Sequence, residues 1–296
     1  HKGIVMILVD MNQVMISNLM AQIGSHHNVE LNEDLVRHMV LNSLRGYRNK
    51  FTEQYGELVI CCDDKNFWRK KLYPYYKANR KKARNESDLD WSNLFSCLNA
   101  IREEIRENFP YKVIQVESAE ADDLIATIVH DVEGSHLMNG HSKPVLIMSG
   151  DKDFIQLHKY SNVSQYDPVR ERWIKHDDPE KYLIEHIAKG DRGDGIPNIL
   201  SKDDCFINGR QKPLRSKVLN TFVDMRNIEE IENYHTDHIT NWNRNRRLVD
   251  LSLVPDYIKD EVKKQYNEEF EPKRDQLYTY FLNKKLKGLI ENIGDF

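Results

Sequence analysis

Long apolar runs are missing from this 296-residue chain. None approaches the ~20 residues that a membrane-spanning helix needs, and the start of the chain does not resemble a secretory signal. No membrane association is expected. Cysteine is scarce as well. Cys61, Cys62, Cys97 and Cys205 do not amount to the framework of a disulfide-stapled domain. Cys61 and Cys62 fall inside an apolar run and are expected as buried thiols, which points to a reducing, cytoplasmic compartment. There is no Gly-x-x-x-x-Gly-Lys-Ser/Thr loop for nucleotide phosphates and no Gly-x-Ser-x-Gly nucleophile elbow. Net charge is −4, which argues against a plain nucleic-acid coat protein. The balance hides a segregation. Acid is absent from 65–84, where Lys65, Arg69, Lys70, Lys71, Lys77, Arg80, Lys81, Lys82 and Arg84 all occur.

What is present is acid at the ends of apolar runs. The run 4–9 ends in Asp10, and the run 58–62 ends in Asp63 and Asp64. Glu120, Asp122 and Asp123 follow the run 113–116. The run 145–148 leads into Ser149-Gly150-Asp151-Lys152-Asp153, and Asp191 and Asp194 lie between glycines before Ile196-Pro197. Between these runs, helical spacing alternates with strand spacing. That rhythm predicts an α/β fold with a mostly parallel central sheet. Strand C-termini of such a sheet open onto one crevice. Each acid alone reads as a helix cap or a turn residue, but capping does not require Glu-x-Asp at 120 and 122 or Asp-x-Asp at 151 and 153. So many carboxylates in one crevice are tolerable only with divalent cations. Magnesium suits few carboxylates and several waters, and two ions ~4 Å apart can clamp a phosphodiester. His235 and His238 have no cysteine or third histidine nearby, so zinc is disfavoured; His26 and His27 read as loop. A phosphatase of the haloacid-dehalogenase type needs Asp-x-Asp after its first strand, whereas Asp10-Met11-Asn12 puts an amide where the general acid belongs.

The acid-free segment interleaves Phe67, Trp68, Tyr73, Tyr75 and Tyr76 with its cations. Cations meet phosphates and rings stack on bases, so this composition suits a nucleic acid. A solvated helix face is the plainer alternative. Residues 81–87 lack apolar anchors and are expected to be mobile, and 134–142 reads as a polar loop. From about 179 onward only helices are predicted, at 180–189, 214–224, 239–251, 256–268 and 275–293.

In order, Asp10, the Cys61-Cys62-Asp63 strand end, Trp68-Arg69-Lys70, Tyr76-Lys77-Ala78-Asn79-Arg80, Glu120-Ala121-Asp122-Asp123, Gly150-Asp151-Lys152-Asp153 and the Gly190–Pro197 segment resemble the 5′-nuclease (flap endonuclease) family. The motifs cover 10–197. The resemblance implies a PIN-like nuclease domain over 1–182, with an arch at about 65–90, and a helical DNA-binding domain over 183–296. It implies a 5′ to 3′ exonuclease and flap endonuclease that removes RNA primers during lagging-strand synthesis by two-metal phosphodiester hydrolysis. Two Mg²⁺ ions are implied, with Mn²⁺ able to substitute. Asp10, Asp63, Glu120 and Asp122 would serve the first metal, and Asp151, Asp153, Asp191 and Asp194 the second, with Asp123 shared or behind them. Asp122 would be essential for turnover. Lys77 and Arg80 would grip the scissile phosphate, with Arg69, Lys70 and Tyr76 nearby. The partners implied are DNA and RNA–DNA duplexes with 5′ ends or flaps, a phage single-strand-binding protein and a sliding clamp, the protein itself being a monomer. Two departures stand out. Many relatives follow Gly-Ile-Pro with a Gly-rich helix-hairpin that holds a monovalent cation, but 198–213 has only Gly209. Lys202, Arg210, Lys212, Arg215 and Lys217 would then contact phosphates directly. Phage members also carry an N-terminal clamp-binding tail, which this sequence does not show ahead of its first strand.

Overall fold

The apolar runs become strands because both of their faces are covered. In the computed structural model, which describes residues 6–23, 31–139, 143–233 and 238–296, β1 (Met6–Asp10) is fully buried. Ile7 and Val9 point into one core, Met6 and Leu8 into another. β2 (Glu57–Cys61) and β4 (Val145–Met148) divide in the same way: Leu58, Ile60, Leu146 and Met148 on one side, Val59, Cys61, Val145 and Ile147 on the other. Strands buried on both faces read as continuous apolar runs. Cys61 and Cys62 therefore sit on opposite sides, both buried and free.

The sheet has six strands in the order β3-β2-β1-β4-β5-β6, with β3 at Lys112–Ile114, β5 at Val163–Asp167 and β6 at Arg172–Ile174. All neighbours are parallel except the β5–β6 hairpin. The chain builds outward from β1 through β2 and β3, then crosses back to β4. That reversal makes a crevice at the C-termini of β1 and β4, where open α/β sheets bind ligands. Asp10 and the 149–153 turn flank it.

On one face lie α1 (Met11–Ile23), α2 (Glu33–Tyr55) and, beyond the short basic helices α3 (Trp68–Leu72) and α4 (Ala78–Glu86), α5 (Trp91–Asn108). Asn32 caps α2, accepting from Leu35 N at 2.8 Å, and Asp90 caps α5, accepting from Asn93 N at 3.0 Å. α6 (Ala121–Asn139) covers the other face. Then follow α7 (Pro179–Lys189), α8 (Cys205–Asn208), α9 (Ser216–Met225), α10 (Ile228–Glu232), α11 (Ile239–Val249), α12 (Asp256–Asn267), α13 (Leu277–Asn283) and α14 (Lys287–Ile290). Among the described residues no helix is long and apolar enough to cross a membrane.

Three expectations need correction, and one hairpin was not foreseen. The polar 134–142 stretch is helical as far as Asn139, and the remainder, like His26, His27 and His235, lies outside the described residues. Residues 81–87 mostly form the second half of α4, a helix with no buried residue. The hairpin β5–β6 was hidden by polar side chains: Gln165 on β5 is buried and donates to Ser149 O at 2.9 Å, and Arg172 is exposed on the edge strand β6. The single helix expected at 275–293 is broken, because Lys285 turns left-handed (φ 57°) and Leu286 N donates to Phe281 O at 2.9 Å. The break lets Leu277, Tyr280, Phe281, Leu289 and Phe296 all reach the core under α2 and α5. α12 likewise packs Ile258 and Val262 against α6. Beyond Asp250 the chain thus returns to the sheet rather than staying in a separate helical body. The helical cluster proper spans α7 to α11 and recruits Tyr73 and Tyr76 from the basic segment.

Candidate metal centre and nucleic-acid interface

Asp10 ends β1 inside the crevice, where Ser149 Oγ donates to its Oδ2 at 2.8 Å. α6 starts immediately after Glu120, so Asp122 stands in its first turn, and Asp151 caps the 3-10 turn Lys152–Lys159. One carboxylate oxygen from each of Asp10, Asp122 and Asp151 lies within 4.8 Å of the others. Asp10 is buried and the other two are half-buried. No lysine or arginine pairs with any of the three among the described residues. Burial and the nearby Asp63 push Asp10 up to about 7. Burial followed by Asp151 and Asp10 holds Asp122 well above the usual carboxylate range, and burial followed by Asp153 does the same for Asp151. Carboxylates held near one another at such cost fit a hard divalent cation that takes oxygen ligands.

Asp63 and Glu120 flank this trio. Asp63 Oδ1 accepts from Ala121 N at 2.6 Å, fixing it to the start of α6. Burial and Glu120 raise it to about 6. Glu120 is the exception in sign. Burial works upward on it, but Lys77 and Arg69 outweigh this and take it down to about 2. Tyr76 Oη donates to it at 2.9 Å, Arg69 Nη1 lies 2.7 Å away, and Lys77 Nζ forms an ion pair with it.

Asp151 was expected with the second group but places its carboxylate with Asp10 and Asp122. Asp153 and Asp191 instead come together with a residue the sequence reading missed, His186 on α7. Burial lowers the affinity of His186 for its proton, yet Asp153 and Asp191 outweigh it and raise the imidazole to about 9. A lone histidine in a helix carries no spacing pattern; its place five residues before Asp191, at the helix end, was the one signal available. Asp194 lies beside this group, 2.7 Å from Arg80 Nη2. Burial and Asp191 raise it to about 6 against the pull of Lys77 and Arg80.

Arg69 does not occupy the place expected of it, while Asp123, expected as shared or behind the ligands, lies behind them. Asp123 is 0% exposed and Arg69 3%. The Asp123 oxygens accept from Trp68 Nε1 at 3.0 Å, Glu120 N at 3.0 Å and Arg69 Nη2 at 2.7 Å, which leaves it a strut beneath the crevice rather than a ligand. Arg69 also donates from Nε to Leu248 O at 2.8 Å, so its guanidinium faces protein on every side and cannot reach a phosphate. Tyr76 is buried too; its ring packs with the helical cluster and is not free to stack on a base.

The basic residues that do face solvent form two groups. Lys70 and Arg80 are exposed and Lys77 is half-buried at the base of α4. This base is fastened to the 191–195 loop. Lys77 N donates to Asp194 O at 2.8 Å, Asn79 Nδ2 to Arg192 O at 3.0 Å and Arg80 Nε to Gly193 O at 3.2 Å. Lys202, Arg210, Lys212, Arg215 and Lys217 are all exposed on the segment from the end of this loop to α9, and none has an ion-pair partner among the described residues. Side chains supply the order that glycines would give a hairpin here. Asn198 Nδ2 donates to Lys212 O at 2.6 Å, and Arg244 on α11 donates to Pro197 O and Asn198 O, both at 3.1 Å.

Comparison with known proteins gives the family and the fold. The profile of the 5′-3′ exonuclease N-terminal resolvase-like domain matches residues 6–186. The chain belongs to the 5′-3′ exonuclease family. The profile of the T4 RNase H C-terminal region matches 177–296. Ribonuclease H of Enterobacteria phage T4 is 30% identical over 98% of this chain and 95% of its own length. A Shewanella flap endonuclease Xni (strain ANA-3) is 30% identical over 48% of this chain and 51% of its own length. Among solved structures, the T5 D15 protein co-crystallised with metal ions has a TM-score of 0.60 at 18% identity, covering 88% of this chain and 98% of that one. T5 5′-exonuclease with bound zinc scores 0.58 at 20% identity, with the same coverage. These two share the fold, a mostly parallel PIN-like sheet flanked by helices. The chain is thus a nuclease, an enzyme that cleaves phosphodiesters.

Proposed function

We propose that this 5′-3′ exonuclease removes RNA primers and 5′ flaps during DNA replication in a bacterial cytoplasm, using two Mg²⁺ ions for which Mn²⁺ can substitute. The observation that carries this reading is the Asp10–Asp122–Asp151 trio, three converging acids with no lysine or arginine paired to them among the described residues, beside an arch base bearing Lys77 and Arg80. Asp10, Asp122 and Asp151, flanked by Asp63 and Glu120, would hold one ion, and Asp153 and Asp191, flanked by Asp194, the other. Bound divalent cations would supply charge neutralisation and activation of water. Water adds to phosphorus, the bond to the 3′-oxygen breaks, and that oxygen leaves with a proton.

The chain's own residues do the positioning. Lys77 and Arg80 rest on Glu120 and Asp194 in the free protein, so their cationic ends already face the crevice. A scissile phosphate entering there meets both and has its growing charge offset. Lys70 extends the basic surface along the arch. Lys202, Arg210, Lys212, Arg215 and Lys217 would track duplex backbone without reading sequence. A single-strand-binding protein and a sliding clamp are the replication partners such a role brings. Incubating the protein with a 5′-labelled RNA–DNA duplex, with and without EDTA, tests the reading. Short 5′ products that appear only with metal are expected. Tight binding without cleavage at any metal concentration would make this a binding protein on a nuclease scaffold.

A further inference from the structure

His186 has no part in the mechanism so far, and its surroundings suit it for one. It lies one turn from the C-terminal end of α7, between an acid carried by the sheet and an acid carried by the helical cluster. Nδ1 is 3.2 Å from Asp153 Oδ1, and Nε2 is 3.4 Å from Asp191 Oδ2. The side chain is only 11% exposed. Nδ1 is buried yet makes no hydrogen bond, because Asp153 is close in distance but lies off the line a donor needs. A histidine that merely braced two loops would satisfy both nitrogens, since buried polar atoms almost always find partners. One ligand atom from each of Asp153, His186 and Asp191 falls within 4.8 Å of the others. Nε2, facing Asp191, is placed to carry the proton that orients the ring, the usual arrangement around a metal-bound imidazole.

We propose that His186 supplies Nδ1 as a ligand to the cation held by Asp153 and Asp191, making that centre a mixed nitrogen–oxygen site beside the all-oxygen Asp10–Asp122–Asp151 centre. The inference rests on the two-ion reading above and deepens it. It has a chemical consequence. Magnesium favours oxygen, while imidazole favours transition metals. The two centres therefore differ in selectivity: the Asp153–His186–Asp191 centre prefers Mn²⁺ to Mg²⁺ and the other discriminates little. The ligand set also joins the two halves of the site, because Asp153 follows β4 while His186 and Asp191 belong to α7 and its exit loop.

The test uses the full chain without nucleic acid, so turnover is not the readout. Mn²⁺ is titrated and its free fraction followed by electron paramagnetic resonance; the bound ions are then examined by electron spin-echo modulation for coupling to ¹⁴N. Two bound ions are expected, with ¹⁴N coupling from one of them that disappears in His186→Gln. Mn²⁺ affinity at that centre should fall by about tenfold or more in the variant, with little change in Mg²⁺ affinity. Two bound ions with no nitrogen coupling in the wild-type protein, or coupling that persists in His186→Gln, would overturn the His186 assignment and leave the two-ion reading standing. Fewer than two bound ions would overturn both. If circular dichroism shows that His186→Gln does not fold, His186→Asn replaces it, and the wild-type spectrum alone still decides against the ligand if it lacks the coupling.

Discussion

Two neighbouring acids at the start of α6 behave in opposite ways, and the difference is in their partners. Glu120 has Arg69, Tyr76 and Lys77 around it and is held ionised; Asp122 faces Asp10 and Asp151 and is held back from ionising. Asp122→Asn should therefore raise the stability of the metal-free protein by about 1 kcal/mol, since it removes a repelled carboxylate without changing shape. The same change should lower metal-dependent cleavage at least ~100-fold while leaving nucleic-acid binding intact. Thermal unfolding in EDTA and a gel-based cleavage assay measure the two effects, and unchanged cleavage would remove Asp122 from the metal centre. Arg69 makes the reverse case. Sequence shows a cation in a basic run, and nothing in that run says it is buried. Its removal in Arg69→Ala leaves Glu120 and Asp123 with one cation fewer in a buried setting, at a cost of about 3–5 kcal/mol. Lys70→Ala next to it, on the exposed side of α3, should change stability by less than ~0.5 kcal/mol. Urea denaturation of the pair checks this, and equal effects would contradict the burial.

Elements bring the second set of acids into place. Asp191 and Asp194 belong to a loop that meets His186 at Asp191, and three hydrogen bonds from residues 77, 79 and 80 fasten it to α4. The fit is tight. Gly195 is left-handed at φ 72°, and a Cβ there would lie 2.8 Å from Tyr75 O, a backbone atom with no freedom to yield. Lys77 on the facing side is itself left-handed at φ 55°. Gly195→Ala should therefore cost about 1–3 kcal/mol and separate the arch from the loop. Cleavage at low Mg²⁺ should suffer most and recover partly as Mg²⁺ is raised. Gly46→Ala in the middle of α2 is the contrast, since nothing lies within 4 Å of its added methyl; it should stabilise by about 0.5–1 kcal/mol. A Mg²⁺ titration of cleavage with both variants distinguishes them, and a Gly195→Ala protein that behaves like Gly46→Ala would show that the clamp does not matter. Strand-end acids were legible because β1, β2 and β4 announce themselves as apolar runs, with Asp10, Asp63 and Asp151 at or just after their ends. The clamp was not, because it is made of backbone groups whose meeting depends on how α7 folds back.

At the scale of the molecule, two cores on opposite faces of the sheet and a third in the helical cluster converge on one crevice. Helices were expected at 256–268 and 275–293, but the sequence does not say what they pack against, so their return to the sheet could not be read from it. The convergence also sets how stability responds to pH without metal. Asp10 rises from 3.8 to about 7, Asp63 and Asp194 from 3.8 to about 6, and His186 from 6.5 to about 9. Each binds its proton more tightly folded than unfolded, so its contribution is complete below the unfolded value and lost as pH climbs through the folded one. The carboxylates act between about pH 4 and 7 and His186 between about 6.5 and 9, all in the same direction. Glu120 opposes them only in acid: lowered from 4.5 to about 2, its contribution is present above 4.5 and lost as pH falls toward 2. In EDTA, Tm should therefore be highest near pH 5 and decline toward pH 9, at roughly 2–4 °C for each kcal/mol lost. Saturating Mg²⁺ should flatten or reverse the decline, because cation binding requires the deprotonated acids and strengthens as pH rises. Calorimetric scans across this range with and without Mg²⁺ measure both slopes; a Tm that rises from pH 5 to 8 in EDTA would mean the crevice acids are neutralised by something other than a bound cation.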